Sequence, residues 1–155
     1  MARIFLLQDW VSLSGPGGGE IVQSEPGWLD LSPFTHAGFY LSVKYVSSAN
    51  LSLQYQSAPS ADADLFQAMA TEAVSATARR LTLVRWDSAA EPMTRWVRWR
   101  LTDSGAASWS VTFRVYLAAV ATGGRRPRAV APAPRPALVA GASSVRGVRA
   151  SAVPE

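Results

Sequence analysis

One stretch limits what this chain can become. Trp109, Val111, Phe113, Val115 and Leu117 alternate with Ser110, Thr112, Arg114 and Tyr116. A repeat of two residues places one set on each side of an extended strand. A helix would scatter the same residues around its circumference. Shorter runs repeat the pattern. Phe39, Leu41, Val43 and Tyr45 share one phase, with Ser42 and Lys44 on the other. Leu51, Leu53 and Tyr55 alternate with Ser52, Gln54 and Gln56. Leu81 and Leu83 flank Thr82, and Val97, Trp99 and Leu101 alternate with Trp96, Arg98 and Arg100. Weaker strand signals lie near 3–11, 20–23 and 28–31.

About eight strands, with turn residues every 8–12 positions, predict an all-β chain. The expected architecture is a single β-sandwich of jelly-roll or Greek-key type. A five-stranded barrel is the second choice. Ser47-Ser48-Ala49-Asn50 reads as a hairpin loop, and Asp103-Ser104-Gly105 as the turn before the last strand. Residues 61–78 break the pattern. They are alanine-rich, with Leu65, Phe66, Met69 and Val74 near helical spacing. This predicts one short helix near 62–70, capped by Ser60 or Asp62.

Charge divides the chain in two. Residues 1–122 carry nine Lys and Arg against ten Asp and Glu, a net of −1. Residues 123–155 carry six arginines against Glu155, a net of +5, so the two parts sum to the chain's +4. All fifteen aromatic residues lie at or before Tyr116, while five of the ten prolines lie at or after Pro127. A segment without aromatics, rich in Pro and Gly, buries too little apolar area to offset its ordering entropy. The expected domains are therefore a sandwich body, 1–122, and an extended basic arm, 123–155. Ala131-Pro132-Ala133-Pro134-Arg135-Pro136 favours the polyproline conformation. Thirty-odd residues at about 3.1 Å each reach on the order of 100 Å. The body's radius of gyration is only about 14 Å.

Composition excludes several chemistries. With no cysteine, disulfides and thiolate chemistry are absent, and one histidine cannot build a multi-histidine metal site. No apolar run approaches the roughly 18 residues needed to span a bilayer. The apolar run Ile4-Phe5-Leu6-Leu7 is shorter than a secretory core of about 7–15 residues. Neither a signal peptide nor a membrane segment is expected. His36 reads as an ordinary loop histidine, since no Gly-x-Ser-x-Gly elbow supplies a nucleophile. Gly15-Pro16-Gly17-Gly18-Gly19 lacks the Lys-Ser/Thr and helix of a phosphate loop, and Glu20 would repel phosphate. Asp62 and Asp64 suit a helix N-terminus better than a calcium loop. No acid, base or nucleophile stands out, so no enzyme, metal or cofactor is expected.

Tryptophans are the remaining candidates. Trp99 and Trp109 share the phase of Val97, Leu101, Val111 and Phe113, and are expected in the core. Trp96 takes the other face with Arg98 and Arg100, and Trp86 is out of phase with Leu81 and Leu83. An exposed Trp86 or Trp96, with Arg98 beside it, would stack on a sugar ring, a base or a partner.

Trp96-Val97-Arg98-Trp99-Arg100-Leu101, a turn, and Val111-Thr112-Phe113-Arg114-Val115-Tyr116 resemble the closing strands of discoidin-type and galactose-binding-like sandwiches. That resemblance implies a sandwich fold. In organisation, a small sandwich with a long arm is similar to accessory or decoration subunits of phage-type capsids. The expected function is a non-catalytic structural subunit of a large assembly, in a virion or comparable particle and otherwise cytoplasmic. Its partners would be coat protein or further copies of itself, in a homo-oligomer or a mixed assembly. Arg125, Arg126, Arg128, Pro132, Pro134, Arg135 and Leu138 would make the arm's contacts. A carbohydrate-binding module using Trp86 and Trp96 is the second reading. Nucleic-acid contact through the tail is the third, with a salt slope on the order of −5 if all six arginines met phosphates.

Overall fold

A computed structural model describes residues 2–74, 79–85 and 92–121. Nine strands account for most of them: β1 (Ala2–Gly15), β2 (Glu20–Val22), β3 (Leu29–Asp30), β4 (His36–Val46), β5 (Leu51–Ala58), β6 (Gln67–Ala73), β7 (Arg79–Arg85), β8 (Trp96–Asp103) and β9 (Trp109–Val120). One sheet runs β1-β9-β4-β7, and the other runs β2-β8-β5-β6 with β3 also paired to β8. Every pairing is antiparallel. β2 and β3 lie against successive parts of β8 and act as one strand broken at residues 23–28. Counted so, eight strands in the orders 1-8-3-6 and 2-7-4-5 form a jelly roll. The sandwich expected from alternation is the observed fold.

Three local expectations need correction. The loop Ser47–Asn50 joins β4 to β5 in opposite sheets, so it is a crossing link and not a hairpin. The helix expected near 62–70 is a single 3-10 turn, Ala63–Leu65, whose Asp62 side chain accepts the Asp64 N–H. Beyond it β6 pairs with β5, because each extended residue there gains ladder bonds that a lone short helix lacks. His36 is not in a loop. It opens β4 between Arg85 and Val120, with Nδ1 2.9 Å from the Thr35 hydroxyl.

The inner faces pack into one core. Phe39 of the first sheet stacks on Tyr55 of the second, ring centres 4.1 Å apart and 17° from parallel. Trp99 of the second meets Phe113 of the first edge-on at 5.3 Å. Trp99 and Trp109 are buried, as their phase predicts. β1 reaches fourteen residues by taking two bulges, between Leu6 and Gln8 and between Gln8 and Val11. The bulges turn Gln8 inward, where its Oε1 accepts the Trp99 indole N–H at 3.1 Å.

Glu72 is a buried carboxylate on β6, and its Oε2 has no hydrogen-bond partner among the described residues. Burial raises its pKa above the ordinary carboxylate value, with Arg80 opposing in part. The folded state therefore holds this proton more tightly than the unfolded chain does. The resulting stability is fully present below the unfolded pKa and is lost as pH rises through the folded one. Glu72→Gln is expected to melt a few degrees above the parent at pH 8, since about 1 kcal/mol moves such a domain by about 3–5 °C. The gap closes toward pH 4. Thermal unfolding followed by circular dichroism at both pH values checks this; a gap of equal size at both would reject it.

Candidate interaction surface

The two sheets differ on their outer sides. Outside the second sheet, the chain covers itself. Arg98, buried on β8, lays its guanidinium 4.0 Å from the centre of the Phe66 ring and 5.5 Å from that of Trp28. Its Nε donates to Gln56 Oε1 at 2.9 Å, and one terminal nitrogen donates to the Ala63 carbonyl. Burial lowers the pKa of this guanidinium, and Arg100 adds to the effect. Trp28 and Phe66 in turn meet edge-on at 4.7 Å.

The first sheet presents apolar side chains to solvent. Across its four strands Ile4, Ala118, Gly38 and Leu83 form one row. Leu6, Tyr116, Tyr40 and Leu81 form the next. Ile4 is 77% exposed and Leu83 73%. Alternation alone would turn Leu81 and Leu83 inward, but register decides otherwise. Thr82 lies opposite the buried Phe39, and Val84 opposite the buried Ala37. Beside the apolar rows Arg114 lies over two rings, 4.7 Å from Trp10 and 4.6 Å from Tyr116. Lys44 Nζ sits 4.0 Å from Trp10.

Charge follows the same division. The strands of the first sheet carry Arg3, Lys44, Arg79, Arg80, Arg85 and Arg114 against Asp9 alone. Those of the second carry Arg98 and Arg100 against Glu20, Asp30, Glu72 and Asp103. The near-neutral body is thus an apolar, basic sheet backed by an acidic one.

Of the ligand-stacking candidates, Trp96 and Arg98 lie on β8. Trp86 lies outside the described residues. Trp96 is half-buried, with the Arg95 guanidinium 5.4 Å from its ring centre. Arg95 is held in turn by Asp30 at 2.7 Å, and this partner keeps the Asp30 carboxyl below the usual carboxylate range. Arg98 is buried and contacts Phe66, Trp28 and Gln56. The arm residues Arg125, Arg126, Arg128, Pro132, Pro134, Arg135 and Leu138 also lie outside the described residues. Among the described residues no three His, Asp or Glu side chains are grouped to hold a metal ion. The apolar outer face was missed in the sequence. Its only local signs are the unbroken run Ile4-Phe5-Leu6-Leu7 and the Leu81, Leu83, Val84 cluster.

No protein-family model matches this chain, and no curated protein sequence does. Solved structures match its fold. A chain of the infectious bursal disease virus VP2 subviral particle aligns with a TM-score of 0.53 at 13% identity, over 82% of this chain and 34% of that one. A chain of the Gx strain of that virus gives 0.45 at 15% identity, over 81% and 34%. A chain of the disulfide-linked pili of Bacillus endospore appendages gives 0.43 at 15% identity, over 79% and 92%. This chain spans about a third of the length of the two viral chains. The VP2 likeness shows the sandwich fold. The discoidin-type resemblance of the closing strands gains nothing from these comparisons.

Proposed function

We propose that this protein is a non-catalytic structural subunit of a large protein assembly, a capsid decoration or stabilising protein of the phage type. The observation that carries the reading is the outer face of the β1-β9-β4-β7 sheet. Exposed apolar patches of this kind mark interaction surfaces. Ile4, Leu6, Tyr40, Leu81 and Leu83 are all at least 45% exposed, and all lie on that one face. Covering it removes apolar area from water, at about 25 cal/mol per Å². The arm, 123–155, adds contacts to neighbouring subunits and raises their effective concentration. Mechanism here means buried area between subunits.

The test is native particle size. Full-length protein from its native cells is expected to sediment with a megadalton particle, and a version ending at Thr122 to be lost from it. If both run as monomers of their own mass, the assembly reading is wrong.

A further inference from the structure

Two depressions lie side by side on the apolar face and share Tyr40 and Ala118. Their volumes are about 430 and 370 Å³. The floor is low because Gly38 and Ala118 face each other across β4 and β9. A Cβ added at Gly38 would come within 3.2 Å of Leu83 and 3.3 Å of Leu81. Tyr40 and Tyr116 stand directly opposite one another as walls. Grooves walled by aromatic rings suit polyproline segments, which lie on the rings and are already extended, so little order remains to be imposed.

This chain carries such a segment. Pro132, Pro134 and Pro136 follow Val120, the last residue of β9, which itself lines the second depression. We propose that residues 132–136 of one copy dock in the Tyr40–Tyr116 depression of a neighbouring copy. The inference rests on the assembly reading and specifies its contact. Eleven residues separate Val120 from the segment, and a chain of that length reaches on the order of 35 Å when extended. Four strands span only about 15–20 Å, so that length is enough to reach beyond its own sheet to a neighbouring copy. The arm's arginines approach a face whose strands are themselves basic. Like charges oppose the contact, so added salt tightens it. Phosphate binding by the same arginines would loosen with salt. The sign of the salt effect therefore separates the two.

Sedimentation equilibrium of the full chain, at about 0.1 and 0.5 M NaCl, tests the contact. Three variants are compared with the parent: Tyr40→Ser, the triple change Pro132→Ala, Pro134→Ala, Pro136→Ala, and both together. The triple change lies outside the sandwich and leaves its core untouched. The parent is expected to self-associate more tightly at high salt. Each variant is expected to weaken association at least tenfold, and the combination no further than either alone. A parent that stays monomeric at 100 µM, variants without effect, losses that multiply, or weakening by salt would each overturn the proposal. If the Thr122 truncation leaves the native particle while the Tyr40 and proline variants stay on it, this contact falls and the assembly reading stands.

Discussion

Gln23→Leu is expected to cost about 3–5 kcal/mol, a large part of the 5–15 kcal/mol that holds an ordinary domain. Gln23 sits in the break between β2 and β3, where β8 has no continuous neighbour on that side. Its backbone N–H donates to the Trp99 carbonyl at 3.1 Å, and its Oε1 accepts the Trp99 N–H at 3.1 Å. Its Nε2 donates to the Leu7 carbonyl at 2.7 Å and to the Gly27 carbonyl at 2.9 Å. Leu7 is the bulged residue between Leu6 and Gln8 and has no partner in the β1–β9 register. One side chain therefore closes a gap in each sheet and ties the sheets together. Leucine matches its bulk but leaves the Leu7 carbonyl and the Trp99 N–H buried without partners, at about 1–3 kcal/mol each. Glutamate is expected to fare no better, because a carboxylate can only accept and would face two carbonyls. Gly27 belongs to the same device, since a Cβ there would come within 2.7 Å of the Gln23 amide. Urea denaturation reads the loss as a lower midpoint at unchanged slope. A loss below about 1 kcal/mol would show that the bridge is dispensable.

Tyr55 separates what a ring contributes from what its hydroxyl costs. It is fully buried and stacked on Phe39 across the two sheets. Its hydroxyl has no hydrogen-bond partner among the described residues. Burial pushes its pKa up, and the Glu72 carboxylate pushes the same way. Tyr55→Ala empties the centre of the core and is expected to cost about 3–5 kcal/mol. Tyr55→Phe keeps the stack and removes an unpaired buried group. It is expected to be neutral or to stabilise by up to about 1 kcal/mol. The same urea series checks both. A Tyr55→Phe loss above about 1 kcal/mol would mean the hydroxyl is partnered after all.

Strand positions were legible because alternation is local. The runs at 39–45, 51–55, 97–101 and 109–117 all lie within observed strands. The core tryptophans were legible for the same reason, since Trp99 and Trp109 sit between residues that share their phase. Alternation names two faces and does not say which is inside. Leu81 and Leu83 show the failure, because only pairing with β4 puts Thr82 opposite Phe39. Arg98 shows it in reverse. A charged residue on the outward phase is buried because the segments around Trp28 and Phe66 fold over it. The short helix near 62–70 failed because a helical spacing of few residues competes poorly with an adjacent strand.

The chain's own residues determine an all-β sandwich, and a change of composition after the last aromatic, Tyr116, to a basic, proline-rich sequence. Both follow from periodicity and composition, which act over a few neighbouring residues. The tertiary structure decided the jelly-roll order, the side of each strand that faces in, and the bridge made by Gln23. It also decided that Ile4, Leu6, Tyr40, Leu81 and Leu83 share one exposed face. Those residues lie up to 79 positions apart. Only the register of four antiparallel strands brings them together, and register is settled by packing across the whole sandwich.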